Sequence, residues 1–352
     1  AGSAGCALAN RLSEDGDVSV LLLEAGEPDD KEAIHVPPRF PELYWSEADW
    51  AYETVAQPEL DGRQLYHPRG KTLGGSSSLN GMIYIRGHPD DYDRWAAQGN
   101  DGWSYEELLP YFKRAENFEP GDGQYHGEGG PLNVTDLIEP HPLSEALVDA
   151  MGEAGIEHNP DFNGETQAGS GLYHVTQRDG ERCSSAAAYI KPALDRVNLT
   201  VETQAQVTGL RFDGDRVVGV DFSLEGTDRT AECKREVILS AGAFNSPQLL
   251  MLSGIGPADH LADHDIEVRA DVPGVGKNLQ DHLKIGLVYE QTGGPAEPAP
   301  SSNVVESGCF VRTDEDQSQP DLQFHNAPVY LLEHGVREPP QPDATYATLM
   351  PT

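Results

Sequence analysis

The sequence predicts an α/β protein in which a doubly wound parallel sheet is joined to an α+β domain containing an antiparallel sheet. Three observations carry this prediction. A glycine-rich turn at the start of the chain leads into a helix and then an apolar strand. A second apolar run at 236–242 is also followed by a helix, and alternation between 198 and 233 predicts antiparallel strands. Strands that alternate with helices indicate a parallel sheet.

The first element is the turn Gly2-Ser3-Ala4-Gly5 and the helix that follows it. Its glycines fit the second and third glycines of a G-x-G-x-x-G dinucleotide-binding turn, an ordinary glycine-containing helix start being the alternative. In such a turn, free amide groups bind pyrophosphate, and the last glycine lets the helix pack on a strand. The apolar run Val18 to Leu23 predicts that strand, buried on both faces. It ends at Glu24-Ala25, and an acid 19 residues after Gly5 is placed to bind a ribose.

The composition excludes several classes of protein. The 352 residues include 24 basic and 59 acidic side chains, for a formal net charge of −35, and only 7 of the basic residues are Lys. This charge disfavours nucleic acid and anionic membranes as partners. A dispersed acidic surface with little Lys favours a high-salt cytoplasm, and an ordinary acidic protein is the alternative. No apolar run is long enough for a membrane span. We predict a cytoplasmic protein and leave peripheral membrane association open.

The four cysteines stand far apart and show no metal-ligand spacing. They predict small buried thiols in a reducing compartment and no metal site. His260 and His264 are one helical turn apart, but we predict an exposed pair because no further ligand is near in sequence. We expect His126, in a glycine-rich loop, at the surface, and His325, in an apolar run, packed in the core.

The most informative stretch runs from Arg69 to Gly87. Gly74-Gly75 and three serines offer backbone amides and hydroxyls to an anion, and Asn80 can donate and accept hydrogen bonds beside a heterocycle. A flexible linker is the alternative, but a linker does not continue into an apolar run such as Met82–Ile85. We therefore predict a cofactor-binding segment. Its candidate residues are Arg69, Leu73, Gly74, Gly75, Ser76, Asn80, Gly81, Met82 and Ile83.

Helices are predicted at 90–97, 104–117, 143–154 and 186–194, and Ser104 with Glu107 forms a capping box at the second. Alternation predicts strands at 198–202, 207–212, 217–222 and 230–233, the last three as an antiparallel meander. After the apolar run 236–242, Ser246 fits a helix N-cap and Pro247 the first helical position. Ser253-Gly254 predicts the end of that helix.

The stretch at 69–87, the segment 241–257 and the run Pro273 to His282 resemble three separated motifs of the glucose–methanol–choline (GMC) oxidoreductases. Members of this family are FAD-dependent alcohol dehydrogenases and oxidases, and the resemblance covers nearly the whole chain. It implies an FAD/NAD(P)-binding, Rossmann-like domain and a substrate domain. It also implies that Val207 lies beside the adenine and that Ala241 and Gly242 belong to the cofactor site. Some members attach FAD through a His just before the Asn. Here that place is Leu79, which implies non-covalent FAD.

The resemblance implies hydride transfer from a primary alcohol to the flavin, with a His near the C-terminus of family members as the general base. That motif would lie beyond Thr352. We therefore assign no catalytic residue, and we expect the chain alone to be inactive. Glu290 matches the place where choline-oxidising relatives carry a Glu that faces the trimethylammonium group, and a solvated surface Glu is the alternative. Choline, giving betaine aldehyde, is the first candidate substrate. Another alcohol or a sugar, and the electron acceptor (oxygen or a quinone-type molecule), stay open.

An NAD-dependent dehydrogenase and a non-catalytic nucleotide-binding relative are the alternative functions. We predict a discontinuous FAD-binding domain at 1–139 and 186–289 and a substrate domain at 140–185 and 290–352, with a homo-oligomer left open.

Trp45 and Trp50 lie in a proline-rich loop, where packing is favoured over a ring-binding role. The segment 293–300 is shorter than in relatives, which leaves substrate access open.

Overall fold

The structure is a computed structural model that describes residues 1–292, 297–314, 316–332, 335, 337–341 and 344–352. The first part of the short segment at 293–300, residues 293–296, lies outside the described residues. The α-helices are α1 (Ser3–Leu12), α2 (Glu32–His35), α3 (Pro89–Ala97), α4 (Tyr105–Ala115), α5 (Pro142–Glu153), α6 (Gly242–Leu252) and α7 (Ala258–Asp263). Short 3-10 helices cover Pro37–Leu43, Pro58–Leu60, Gly75–Ser78 and Lys191–Ala193, and a π-helical turn covers Ala186–Ile190.

The strands are short and are distributed along the whole chain. In chain order they are β1 (Val20–Leu23), β2 (Tyr52–Glu53), β3 (Tyr66–His67), β4 (Glu116–Phe118), β5 (Leu132–Val134), β6 (Gly169–Leu172), β7 (Gln177–Arg178), β8 (Glu181–Arg182), β9 (Leu199–Glu202), β10 (Ala205–Asp213), β11 (Arg216–Leu224), β12 (Thr227–Glu232), β13 (Ile255–Gly256), β14 (Ala270–Asp271), β15 (Leu287–Glu290), β16 (Ser307–Val311), β17 (Leu322–Ala327) and β18 (Tyr346–Pro351).

The chain divides into two compact units, each made of three segments. The first contains Ala1–Asp30, Trp45–Ser78 and Ser185–Asp281, and the second contains Lys31–Tyr44, Leu79–Ser184 and His282–Thr352. This division differs from the predicted domain limits mainly at 31–44 and 79–139, which belong to the second unit. Contacts far apart in sequence explain the difference: the Arg86 amide donates to Asn163 Oδ1, and Arg182 Nε donates to the Ile34 carbonyl.

In the first unit, β1 and β9 form a parallel pair with register Val20↔Leu199 to Leu23↔Glu202. The strands β10, β11 and β12 form the predicted antiparallel meander, around a small core of Ala205, Val220 and Phe222. The turn between β10 and β11 contains Gly214 at φ 58°.

Four details of the first unit differ from the sequence predictions. The strand β1 is not buried on both faces, because Leu22 points inward while Leu21, on the opposite face, is 44% exposed. The run 236–242 forms no strand within the described chain, and Ile238 is 44% exposed. The helix α6 begins at Gly242, so Pro247 lies inside it rather than at its start. The segment 186–194 is a π-helical turn followed by a 3-10 turn rather than an α-helix.

The second unit is built on a five-stranded antiparallel sheet in the order β15-β18-β17-β16-β6. Its core includes Met82, Phe162, Tyr173, Val175 and Phe310, all 8% exposed or less. The helices α3 and α4 belong to this unit. The capping box at α4 is confirmed, because Ser104 Oγ accepts from the Glu107 amide and the Glu107 carboxylate accepts from the Ser104 amide.

A candidate cofactor site in the first unit

The first unit contains a cavity of about 540 Å³, within the range of about 300–1,000 Å³ that is usual for small-molecule sites. The starts of α1 and α6, the end of β1 and the segment around Arg69 line it. Eleven of the eighteen predicted cofactor-binding residues are among the lining residues: Gly2, Ser3, Ala4, Glu24, Ala25, Arg69, Gly75, Ser76, Val207, Ala241 and Gly242.

The N-terminus of α1 provides hydrogen-bond donors to this cavity. Gly2 is the N-cap in an extended conformation, and it provides no side-chain cap for the first-turn amides. First-turn amides have no acceptor within the helix, and the helix dipole favours an anion there. A Cβ on Gly5 would lie 2.7 Å from Ser240 Oγ, so this glycine permits the close approach of α1 to the segment before α6. This geometry suits a bound phosphate.

Glu24 directly follows β1 and is 6% exposed. Its Oε1 accepts a 2.9 Å hydrogen bond from the Gly26 amide. A Cβ on Gly26 would lie only 1.8 Å from the Lys71 carbonyl oxygen, so the turn after β1 packs directly on the backbone of the segment beginning at Arg69. The carboxylate is therefore held rigidly at the wall of the cavity, where it can accept hydrogen bonds from hydroxyl groups.

The glycine–serine segment packs as an ordered part of the first unit. Gly75 has a φ of +55°, and a Cβ there would lie 2.6 Å from the Cα of Gly2. Only glycine allows the two backbones to approach so closely. The buried Ser78 hydroxyl donates to the Leu73 carbonyl at 2.8 Å. Gly5, Leu73 and Gly74 are not among the residues that line the cavity.

Arg69 and Glu24 are the charged residues among the described residues that line the cavity. The Arg69 guanidinium lies over the ring of Phe244, 4.6 Å from its centroid, and its Nη1 donates to the Pro68 carbonyl at 2.6 Å. These contacts keep the cation at the wall. A fixed cation in the same cavity as two helix N-termini is suited to bind an anionic group.

The structure also brings residues to the cavity that the sequence prediction missed. They include Trp50, Gln206, Phe244, Asn245 and Gln248. The ring of Trp50 is stacked on Tyr52 at 5.7 Å between centroids and lies 4.9 Å from Lys71 Nζ. The Tyr52 hydroxyl donates to Asn245 Oδ1 at 2.8 Å, so this aromatic wall is joined to α6. The aromatic residues of the loop are the signal for this wall in the sequence, although the sequence alone favours packing over a pocket role for Trp50. Trp45 instead stacks on Tyr66, at 4.2 Å.

The remaining four predicted cofactor residues, Asn80, Gly81, Met82 and Ile83, belong to the second unit. Met82 is fully buried and has a φ of +57°, which is rare for a residue with a side chain. Leu79 is 2% exposed. Glu290 is exposed at the end of β15, opposite Tyr346 of β18.

The histidines differ in their surroundings, and the surface prediction for His126 is wrong. His126 is 6% exposed, with Nε2 3.0 Å from Asp161 and Nδ1 3.3 Å from Glu116, because its glycine-rich loop folds against Phe118. His260 and His264 are exposed, with ring centroids 4.8 Å apart. His325 lies on β17 with Nδ1 3.1 Å from the Tyr173 hydroxyl, and burial, with Lys284 and His282 nearby, lowers its pKa to about 4.

A family model described as GMC oxidoreductase matches residues 1–284. The chain belongs to the GMC oxidoreductase family. The predicted family and fold class are therefore confirmed.

Curated relatives of this GMC oxidoreductase include enzymes that act on choline and on other alcohols. The mitochondrial choline dehydrogenase of Mus musculus is 43% identical over 98% of this chain and 62% of the relative. An alcohol dehydrogenase [acceptor] of Pseudomonas putida is 44% identical over 95% of this chain and 65% of the relative. The chain thus spans less than two thirds of the length of these relatives.

Two solved structures share the fold. Pyridoxine 4-oxidase from "Mesorbium loti" aligns with a TM-score of 0.91 at 34% identity, over 100% of this chain and 70% of that one. Formate oxidase of Aspergillus oryzae RIB40, studied for FAD modification, aligns with a TM-score of 0.89 at 26% identity, over 99% of this chain and 70% of that one. The family and these neighbours support FAD as the cofactor. No helix of the described chain is long and apolar enough to cross a membrane.

The residues of the cavity fit an FAD molecule by their chemistry. The start of α1 offers backbone donors for a diphosphate, Glu24 offers acceptors for ribose hydroxyls, and Arg69 supplies a countercharge. Gly75 packs directly against Gly2, so the two segments meet at the wall of the cavity with no side chain between them.

Proposed function

We propose that this chain forms the cofactor-binding part of an FAD-dependent alcohol oxidoreductase that binds FAD non-covalently. The observation that carries the proposal is the cavity of the first unit, where a helix start, a buried carboxylate and a fixed guanidinium line one space. When bound, FAD supplies the acceptor for a hydride. The chain itself binds and orients the cofactor and supplies the walls of the site.

Four parts of the cavity wall have a defined role in this proposal. The first-turn amides of α1 donate to phosphate oxygens, and Glu24 accepts from ribose hydroxyls. Arg69 balances phosphate charge, and the β10 backbone near Val207 contacts the adenine. Leu79 carries no nucleophile, so no covalent bond to the flavin forms at that position.

We propose choline as the first substrate to test, and Glu290 as the group that attracts its cationic head. The support is the resemblance of Glu290 to the acid of choline-oxidising relatives, together with the choline dehydrogenases among the relatives. A carboxylate attracts a quaternary ammonium group, and this attraction disappears for an uncharged alcohol of the same shape.

The first experiment uses the full-length gene product, purified in high salt. Its visible spectrum is recorded, and the protein is then denatured and separated from small molecules. We expect a flavin spectrum that leaves with the small molecules, because Leu79 offers no attachment. Flavin that stays with the polypeptide would contradict non-covalent binding, and a colourless protein that takes up no added FAD would overturn the proposed function.

The substrate is tested by comparing choline with its neutral isostere 3,3-dimethylbutan-1-ol. We expect Glu290→Gln to lower kcat/KM for choline by about tenfold, the equivalent of about 1.4 kcal/mol, and to leave the isostere unchanged. Glu225→Gln, at an exposed turn position, is the control that also removes one carboxylate. We expect it to change kcat/KM for neither substrate. Equal effects of Glu290→Gln on both substrates, or none, would assign Glu290 to the solvated surface.

A further inference from the structure

The arginine that lines the cavity of the first unit has no carboxylate partner. Arg69 forms no ion pair within the described part of the chain, although the sequence contains 59 acidic residues. Its guanidinium instead lies over the ring of Phe244, and its Nη1 donates to the Pro68 carbonyl. The planar fork of an arginine matches both carboxylates and phosphates. The other donors of this guanidinium are therefore open to an anionic group in the cavity.

The acid that contacts Arg69 bonds to its backbone and not to its side chain. Asp49 is 6% exposed, and its Oδ1 accepts from the Arg69 amide at 2.9 Å. Its Oδ2 accepts from the Trp45 amide at 3.0 Å and from the Tyr66 hydroxyl. Both carboxylate oxygens thus have neutral donors. Asp49 fixes the position of Arg69 in the chain without pairing with the guanidinium.

The ring of Phe244 is itself held by its neighbours in the first unit. Phe244 lies in the first turn of α6, and the rings of Tyr52 and His67 are edge-on to it, with centroids 5.8 and 5.7 Å away. Tyr52 and His67 are paired on β2 and β3, and the Tyr52 hydroxyl donates to Asn245 of α6. The face of an aromatic ring attracts a cation but has no net charge. The ring therefore holds the guanidinium without neutralising it.

We propose that Phe244 is a positioning residue for cofactor binding, which holds Arg69 at the cavity wall as the counter-ion of a diphosphate. This inference rests on the proposed FAD function and deepens it, because Phe244 acts through Arg69 and so selects ligands that carry a diphosphate. The formal net charge of −35 repels such ligands, and a cation that no acid neutralises offsets this repulsion where they bind. An acid in place of Phe244 would also hold the guanidinium, but it would cancel the charge that the diphosphate needs.

The test is a double-mutant cycle on the affinity of the full-length apoprotein for ADP and for adenosine, which lacks the diphosphate. The variants are Arg69→Gln, Phe244→Leu and the double substitution. We expect Arg69→Gln to weaken ADP binding by about tenfold and Phe244→Leu by about fivefold, with no further loss from Phe244→Leu in the Arg69→Gln background. The affinity for adenosine is expected to be unchanged in all three. An equal loss from Phe244→Leu in both backgrounds, or a parallel loss of adenosine affinity, would overturn the inference.

Lys71→Gln is the matched control for the loss of a positive charge. Lys71 belongs to the same segment as Arg69, and its Nζ also lies near an aromatic ring, 4.9 Å from the Trp50 centroid. Lys71 is not among the residues that line the cavity. In about 0.5 M NaCl, where screening shortens the reach of charge, we expect Lys71→Gln to change ADP affinity by less than about twofold. A loss as large as that of Arg69→Gln would mean that overall charge sets the affinity, and it would overturn the positioning role.

An isosteric replacement keeps the inference testable if Phe244→Leu does not fold. A trifluorinated phenylalanine in place of Phe244 keeps the shape of the ring but withdraws electron density from its face, which weakens the attraction for a cation. We expect ADP affinity to fall by about threefold with this ring and to stay within about twofold of the wild type in Phe244→Tyr. Unchanged ADP affinity with the fluorinated ring would refute the role of Phe244. A wild-type protein that binds no flavin would refute the proposed function instead, which separates the two failures.

Discussion

The side chain of His126 lies between two carboxylates in the interior of the second unit. Burial by itself lowers the pKa of this histidine, but its hydrogen bond to Asp161 and the close contact of its Nδ1 with the Glu116 carboxylate outweigh burial and raise the pKa above the ordinary value. Burial likewise opposes ionisation of Asp161 and Glu116, and the same two contacts with His126 help to lower the pKa of each carboxyl group. The three groups are therefore stabilised together as an ion triplet.

This arrangement predicts a pH-dependent cost for His126→Gln. A raised histidine pKa contributes stability that is complete below its unfolded pKa of about 6.5 and is lost as pH rises through the folded value. The lowered carboxylate pKa values contribute above about pH 4 and are lost as pH falls through their folded values. We expect the substitution to lower the free energy of unfolding by about 2 kcal/mol near pH 5.5 and by less at pH 9. Urea unfolding at the two pH values measures this difference.

The wild type and the His126→Gln variant share the charged groups that surround the triplet. The contributions of those groups to the free energy of unfolding therefore largely cancel when the two proteins are compared. They are Arg86, paired with Glu116, and His174, which faces Asp136 and Asp161 and whose pKa is lowered by burial. The matched control is His260→Gln at an exposed position, which is expected to change stability by less than about 0.5 kcal/mol at both pH values. A pH-independent cost of His126→Gln would contradict the ion triplet.

Among the elements, α4 has a start that depends on a few adjacent residues. Ser104 caps the Glu107 amide, and Glu107 returns a hydrogen bond to Ser104. The hydrogen bonds from Ser104 lower the pKa of Glu107, in keeping with an ionised acceptor at a helix N-terminus. Because all partners lie within one turn, the element can be predicted from sequence spacing alone.

We expect Ser104→Ala to lower the free energy of unfolding by about 1 kcal/mol, the usual cost of losing an N-cap serine. The cofactor cavity belongs to the other unit, so FAD affinity is expected to stay the same. Urea unfolding and FAD titration of the same preparations test both statements. Ser19→Ala, at an exposed serine outside any helix, is the control and is expected to be neutral. A cost of Ser104→Ala no larger than that control would mean that the cap adds no stability.

For the whole molecule, charge dominates the dependence of stability on solvent. A formal net charge of −35 produces repulsion that favours expanded states, and salt shortens its reach. We expect the free energy of urea-induced unfolding to rise by several kcal/mol between 0.1 and 2 M KCl at pH 7.5. Near the sequence pI of about 4.5 the net charge is close to zero, so the same salt step is expected to have a much smaller effect. A salt effect of the same size at both pH values would exclude charge repulsion as its cause.

Local sequence patterns determined a large part of this protein. The helix after Gly2, the strand that ends just before Glu24, the cap of α4 and the antiparallel meander all depend on residues within a few positions of one another. Backbone geometry restricts such patterns to few conformations, so spacing alone predicted them. Three separated motifs also indicate the GMC family from the sequence alone, because the residues of each motif are neighbours in the chain even though the motifs themselves are far apart.

Only the tertiary structure decided the contacts between distant parts of the chain. The Arg69 guanidinium meets the ring of Phe244 from a distant segment of the chain, and this contact holds the cation at the cavity wall. For the same reason, the sequence predicts His126 at the surface although it is buried, and favours simple packing for Trp50 although it lines the cavity. Burial and hydrogen-bond partners are set by which segments pack together, and a position's neighbours in sequence contain little information about them.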